Sequence, residues 1–155
     1  METIQDTEKE IVEEFSQLDS WEDKYEYIIE LGKRLPLLED HCKTEENKVK
    51  GCQSSVWLVA DEMHGRIFFK ADSDAVIVKG LISMLIRVLS GHTPEDIIEA
   101  RLDFIHQIGM DTHLAQTRSN GLLSMIRQIK NYALAYKVKN SLHDYGYGST
   151  EAKNN

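Results

Sequence analysis

The sequence has few of the residues that mark secreted, fibrous or membrane-embedded proteins. Its 155 residues include only two cysteines and two prolines, so neither a disulfide scaffold nor a collagen-like repeat is expected. No apolar run approaches the ~18 residues that cross a bilayer, and the stretch METIQDTEKE lacks the basic start and apolar core of a signal peptide. These absences predict a cytoplasmic protein with reduced thiols and no membrane partner.

Positive charge and known enzyme motifs are also scarce. The formal net charge is −8, which argues against a nucleic-acid partner because phosphate backbones are bound through concentrated basic patches. The sequence contains no glycine-rich phosphate loop, no HExxH zinc motif and no GxSxG nucleophile elbow. His41, Cys42 and Cys52 supply fewer ligands than a structural zinc site needs, so we expect no bound metal.

The hydrophobic pattern predicts a single α+β domain, with helices flanking a small antiparallel sheet. Residues 55–63 and 66–71 are rich in β-formers and are separated by His64-Gly65, which predicts a hairpin, and Val49 starts a short edge strand. Helices are predicted over residues 3–18, 21–35, 75–89, 94–100, up to 108 and 119–142. One domain is expected over residues 1–155, ordered to about 142, with a flexible tail over 143–155.

Cys52 is the residue whose surroundings point most directly to chemistry. It follows Gly51 and precedes Gln53 in a loop that leads into the first strand, where a rigid scaffold presents a side chain. Lys48 and Lys50 are close enough in sequence to favour the thiolate, whereas a free cysteine is equally often a buried and inert hydrophobe. No neighbouring histidine and aspartate support acyl chemistry, which leaves sulfur exchange by a lone thiol.

Cys42 lies in a polar loop beside His41. It is interpreted either as a resolving thiol or as an incidental surface cysteine. A Cys42–Cys52 disulfide requires their α-carbons to lie within about 7 Å, which sequence does not decide.

Three segments in order resemble the SufE family of sulfur-acceptor proteins. They are VKGCQSSVWLVA (49–60), DSDAVIVKGLISML (72–85) with GHTPEDI after it, and LAQTRSNGLLSMI (114–126). The resemblance implies a fold shared with IscU-type scaffolds. It also implies that Cys52 accepts sulfur as a persulfide from a SufS-type cysteine desulfurase and relays it to the SufBCD scaffold for iron–sulfur cluster assembly, stimulating the desulfurase.

The resemblance implies further properties. The protein is expected not to be an enzyme itself and to hold no cofactor, since pyridoxal phosphate belongs to the desulfurase. Gly51 and Gln53 would shape the acceptor loop, and Asp74 and Arg118 would contact the desulfurase. Asp74 also fits a helix N-cap, and Arg118 a solvated side chain.

Some features remain open at this stage. The relative CsdE shares much of the pattern, so the SufS-type or CsdA-type identity of the desulfurase is undecided. We expect Cys52 to point into an apolar pocket lined by residues such as Trp57 or Leu81. The alternatives are an IscU-like scaffold that binds an iron–sulfur cluster or zinc, and an adaptor that activates a desulfurase without carrying sulfur.

Overall fold

A computed structural model of the protein describes residues 2–144, where helices surround one antiparallel hairpin. The helices are α1 (Ile4–Ser16), α2 (Trp21–Lys33), α3 (Val76–Leu89), α4 (Pro94–Glu99), α5 (Phe104–Gln107), α6 (Met110–His113) and α7 (Gln116–Asp144). The strands are β1 (Val56–Met63) and β2 (Arg66–Ser73), preceded by two 3-10 helices, Asp40–Cys42 and Glu45–Asn47. The predicted α+β class is confirmed.

Short polar side chains start several helices at the predicted positions. Thr3 Oγ1 accepts a hydrogen bond from the Asp6 N–H at 3.0 Å, and the Asp6 carboxylate accepts one from the Thr3 N–H at 3.2 Å. This reciprocal pair satisfies two backbone donors that a helix start would otherwise leave free. Ser20 and Thr93 cap α2 and α4 with their hydroxyl oxygens, where the sequence predicted new helices.

The central helix is α3, as its nearly continuous apolar sequence predicted. Its residues Leu81, Leu85 and Val88 are almost fully buried. α2 packs closely against it because Gly80 has no side chain: a Cβ at that position would lie 2.1 Å from the Ile28 carbonyl oxygen. This contact fixes the position of α3, and the first turn of α3 forms part of the site described below.

The hairpin pairs Val56 with Ser73 at one end and Met63 with Arg66 at the other. The predicted edge strand at Val49 is reduced to an isolated bridge between Lys48 and Trp57 within the described residues. The chain turns away at Gly51 before a second pair forms, which explains why the sheet has two strands.

The long helix α7 runs beside β1 and bonds to its backbone. The Tyr132 hydroxyl donates to the Leu58 carbonyl oxygen at 3.3 Å, and the Tyr136 hydroxyl donates to that of Ala60 at 3.2 Å. These tyrosines are one helical turn apart, so they match alternate residues of the strand. No described helix is both long enough and apolar enough to span a membrane.

Several helix boundaries differ from the prediction. α7 starts at Gln116 instead of residue 119, because the Ala115 carbonyl already accepts the Ser119 N–H at 3.0 Å without a polar capping side chain. The short helix α6 was not predicted, although Gly109 ends α5 as expected. α7 continues to Asp144, so residues 143 and 144 of the predicted 143–155 tail are helical, and the rest of that tail lies outside the described residues.

Candidate functional site

Cys52 lies half-buried where the loop before β1 crosses α7. Its thiol donates to the Gly121 carbonyl oxygen, with Sγ and O 3.6 Å apart, and no other hydrogen bond to Sγ is present among the described residues. The thiol opens on a cavity of about 530 Å³. The wall of this Cys52 cavity combines the loop before β1, the first turn of α3 and the start of α7: Gln53, Ser54, Ala75, Val76, Ile77, Val78, Ala115, Thr117, Arg118, Gly121 and Met125.

Gly51 sets the path of the loop. Its φ is +93°, a region that side chains other than glycine rarely adopt. A Cβ there would also lie 2.4 Å from Ser124 Oγ and 3.3 Å from Ser124 Cβ on α7. The absence of a side chain therefore lets the loop lie directly on α7, which brings the Cys52 thiol to the Gly121 carbonyl.

The other end of the loop is tied to the end of β2. The Ser55 N–H donates to Asp74 Oδ1 at 3.1 Å, and the Asp74 N–H donates to the Ser55 carbonyl oxygen at 3.3 Å. The Ser73 hydroxyl donates to the same carbonyl at 2.8 Å. Cys52 thus sits between a conformationally restricted glycine and a fixed strand start.

The structure corrects the expected capping role of Asp74. α3 begins after Ala75 without a side-chain cap, and the Ala75 N–H donates to Ser73 Oγ at 3.2 Å. Asp74 instead binds Ser55, because its carboxylate points back along the hairpin and not toward the first turn of α3. Asp74 is exposed and precedes Ala75, which lines the cavity.

Gln53 and Arg118 both line the Cys52 cavity, one exposed and the other half-buried. The expectation that Trp57 or Leu81 lines the pocket is wrong. Leu81 is fully buried in the core, and the Trp57 ring lies under the Lys43 ammonium, 5.9 Å from the ring centre.

Burial raises the pKa of the Cys52 thiol above its ordinary value. The expectation that nearby lysines favour the thiolate is wrong for the folded chain. Lys48 is paired with Glu45 at 2.8 Å, and Lys50 is exposed to solvent. Because the ordinary pKa of a cysteine thiol already lies above neutral pH, the raised pKa of Cys52 keeps the resting thiol protonated there.

Cys42 is also a free, half-buried thiol, so no Cys42–Cys52 disulfide is present. It ends the first 3-10 helix, and its carbonyl oxygen accepts from Asn47 Nδ2 at 2.8 Å. The adjacent Lys43 binds the buried Asp72 at 3.0 Å, which anchors this segment to β2. Cys42 does not line the Cys52 cavity.

Sequence reasoning missed the contribution of the helices to the cavity. Gly121 and Ser124 are small residues three apart on α7, and this spacing signals a close approach by another backbone. The apolar first turn of α3, with Val76 exposed, carries no comparable signal because its pattern also fits a core helix. Among the described residues, no group of three or more histidine, cysteine or acidic side chains has an arrangement that holds a metal ion.

The fold and site define a small α+β protein that presents one cysteine beside a cavity. The chain belongs to the SufE family, whose sequence model, described as "SufE: Fe-S metabolism associated domain", matches residues 9–133. This membership associates it with iron–sulfur metabolism.

Individual relatives agree with the family assignment. The chain is 45% identical over 130 residues to an uncharacterized SufE-like protein of Rhizobium meliloti, covering 80% of this chain and 92% of the relative. An uncharacterized SufE-like protein of Rhizobium etli is 44% identical over 131 residues, covering 80% and 87%. The solution structure of a hypothetical protein from Thermus thermophilus shares the fold, with a TM-score of 0.69 at 21% identity over 83% of this chain and 94% of that one.

Proposed function

We propose that the protein accepts sulfur on Cys52 from a SufS-type cysteine desulfurase and thereby stimulates that enzyme. The observation that carries the proposal is the Cys52 thiol in the wall of a 530 Å³ cavity, with a backbone carbonyl as its hydrogen-bond partner. Among the described residues that line the cavity there is no histidine or carboxylate to act as the base that acyl chemistry uses. Thiol exchange needs no base on the acceptor once the thiolate has formed.

The proposed step is a sulfur exchange without net oxidation. The Cys52 thiolate attacks the outer sulfur of a persulfide on the desulfurase, and a new S–S bond forms at Cys52. The old S–S bond breaks, and its electron pair leaves on the desulfurase cysteine as a thiolate. The Cys52 proton goes to solvent or to a base of the donor.

Burial of Cys52 has two consequences for this step. The raised pKa keeps the resting thiol protonated, which slows its oxidation by solutes. It also means that docking of the donor has to supply the thiolate, either by moving the loop outward or by bringing positive charge to the Cys52 cavity.

Other parts of the proposal follow from family membership. The persulfide on Cys52 would be relayed to a SufBCD-type scaffold for cluster assembly. The protein would act as a sulfur-transfer partner and not as an enzyme. It would need no cofactor of its own, because pyridoxal phosphate belongs to the desulfurase. Exposed Asp74 and half-buried Arg118 flank the acceptor and are the proposed desulfurase contacts.

The decisive experiment compares the two cysteines. The protein is incubated with a SufS-type desulfurase and cysteine, and the adducts are located by mass spectrometry. One additional sulfur atom is expected on Cys52 in the wild type and in Cys42→Ser, and none in Cys52→Ser. An adduct on Cys42 alone, or an undiminished adduct in Cys52→Ser, would contradict the proposal.

The same variants separate the sulfur acceptor from the two alternatives. A silent adaptor predicts that Cys52→Ser stimulates the desulfurase as well as the wild type does. An IscU-like scaffold predicts stoichiometric iron or zinc in the purified protein, measured by elemental analysis. We expect neither result.

A further inference from the structure

A second cavity, of about 390 Å³, lies where the start of α1 meets β2 and α4. It shares no lining residue with the Cys52 cavity. Its wall carries both signs of charge: Arg66 from the first residue of β2, and Asp96 and Glu99 from α4. His92, between α3 and α4, completes it.

His92 is 7% exposed, yet its imidazole has no hydrogen-bond partner among the described residues. The backbone carbonyl oxygen of His92, in contrast, accepts a hydrogen bond from the Ile67 N–H at 2.9 Å. His92 lines the cavity, and its ring nitrogens are not completely shielded from solvent. Buried polar groups are nearly always paired in folded proteins, and an imidazole left open on a cavity therefore points to a ligand.

The basic groups of the cavity wall suit an anionic group. Arg66 Nη1 donates to the Gly91 carbonyl oxygen at 3.0 Å, which fixes the guanidinium, and no carboxylate pairs with Arg66 in the described chain. The N–H groups of Ile4 and Gln5, in the first turn of the 13-residue α1, have no acceptor there either. Free N–H groups at a helix start favour a negatively charged ligand.

Acidic side chains of the same wall suit a cation. Asp96 and Glu99 form no ion pair within residues 2–144, and they lie one helical turn apart on α4. Glu2 also lines the cavity, but its carboxylate accepts from the Thr7 hydroxyl at 3.4 Å. Burial lowers the pKa of His92, Asp96 opposes this change, and Arg66 adds to it. Both Arg66 and Asp96 therefore act electrostatically on the His92 ring.

We propose that this cavity binds a zwitterionic α-amino acid. Its carboxylate would be held by Arg66 and the N–H groups of Ile4 and Gln5, its ammonium by Asp96 and Glu99, and the His92 imidazole would bond between them. An anion alone would face the three carboxylates of the wall, and a cation alone would leave the guanidinium unpaired. A ligand with both charges can pair with the basic and the acidic groups of the wall at once, and the volume is of the order used by small-molecule sites.

The test follows the His92 imidazole resonances by NMR while L-alanine is added, with affinities measured by calorimetry. L-Alanine is expected to shift these resonances saturably. Acetate and L-alaninamide each lack one charge and should bind about tenfold more weakly or worse, as for loss of one charge-assisted contact. No shift with millimolar L-alanine would overturn the proposal, as would acetate or inorganic phosphate binding as tightly as L-alanine.

Substitutions at Arg66 and Asp96 test the groups proposed to bind the carboxylate and the ammonium. Arg66→Gln and Asp96→Asn should each weaken L-alanine binding about tenfold. Arg101→Gln, at an arginine outside this cavity, should leave it unchanged. Asp96 is exposed, so its variant keeps the test valid if Arg66→Gln fails to fold. Full affinity for L-alanine in Asp96→Asn would contradict the proposal that the cavity binds a zwitterion. Cys52→Ser should bind L-alanine as the wild type does, so a failure of this proposal can be distinguished from a failure of the sulfur-transfer proposal.

Discussion

Cys42 and Cys52 lie ten residues apart in the chain and are both half-buried free thiols, yet their surroundings differ. Cys52 sits on a loop that rests on α7 and opens on a cavity. Cys42 ends a 3-10 helix that is anchored by Asn47 and by the ion pair of the next residue. The degree of burial does not distinguish the two thiols. The difference lies in whether the neighbouring structure leaves room for a reacting partner beside the sulfur.

The largest expected effect comes from exchanging the two thiols for hydroxyls. Cys52→Ser should reduce desulfurase stimulation to the level without added protein, because no nucleophile remains in the cavity wall. Cys42→Ser should stimulate like the wild type. Desulfurase turnover at saturating cysteine measures both. Equal losses of desulfurase stimulation in the two variants would contradict the proposed difference between Cys52 and Cys42.

A large effect is also expected from Gly51→Ala. The positive φ and the 2.4 Å approach to Ser124 Oγ should together cost about 2 kcal/mol of unfolding free energy or more, and should lift the loop off α7. Urea unfolding and desulfurase stimulation report the two consequences.

Gly65→Ala is the matched control, because its φ is +78° but nothing lies within 4 Å of the added Cβ. It should cost only the backbone contribution, about 1 kcal/mol. Adding Ser124→Ala to Gly51→Ala should recover part of the loss and leave the backbone part. An equal cost at both glycines would show that the contact with α7 has no effect.

The anchor of the Cys42 segment is expected to affect stability but not sulfur transfer. Burial by itself raises the pKa of Asp72, but hydrogen bonds from Lys43, the Ser73 N–H and Lys79 outweigh it and hold that pKa below its ordinary value. Asp72→Asn should lower the unfolding free energy by about 2 kcal/mol at neutral pH. Desulfurase stimulation should persist wherever the variant is folded.

The loss of unfolding free energy in Asp72→Asn should depend on pH. A carboxylate with a lowered folded pKa stabilises the fold above its unfolded pKa, and this contribution is lost as the pH falls through the folded pKa. The deficit of Asp72→Asn should therefore shrink in acid, as measured by urea unfolding across pH. Asp40→Asn removes a fully exposed contact of the same Lys43 and should change little. A deficit that is constant with pH would contradict the ionic origin.

The smallest effect is expected in the chemical reactivity of Cys52. Because burial raises its pKa, its alkylation by iodoacetamide in the Cys42→Ser background should show a higher midpoint pH when folded than in urea. The rate at neutral pH should be lower in the folded protein than in urea, because a smaller fraction of the thiol is ionised. A folded midpoint at or below the unfolded one would show that positive charge outweighs burial.

Much of this architecture was predictable because it depends on local signals. The hairpin follows from β-formers around His64-Gly65, and helix starts follow from Ser20 and Thr93. The Val49 strand was overpredicted, since local propensity does not show that the chain turns away at Gly51. The start of α7 was placed too late because Ala115 offers no capping side chain.

The Cys52 site was predictable only in part. The cysteine and its flanking residues are adjacent in sequence, and Arg118 was found through the resemblance. The Gly121 carbonyl and Ser124 are about seventy residues away, and only the packing of α7 brings them to the loop. Asp74 was misassigned as a cap because its real partner, Ser55, is nineteen residues earlier across the hairpin.

The tyrosine contacts between α7 and β1 have a consequence for behaviour at high protein concentration. Two-stranded sheets leave backbone groups free at their edges, and such edges recruit strands from other molecules. Tyr132 and Tyr136 occupy two carbonyl groups of β1, and on the far side of the sheet the Ile67 N–H is taken by His92. Part of each border of the hairpin is thus occupied within the molecule, which leaves fewer backbone groups free to pair with a strand of another molecule.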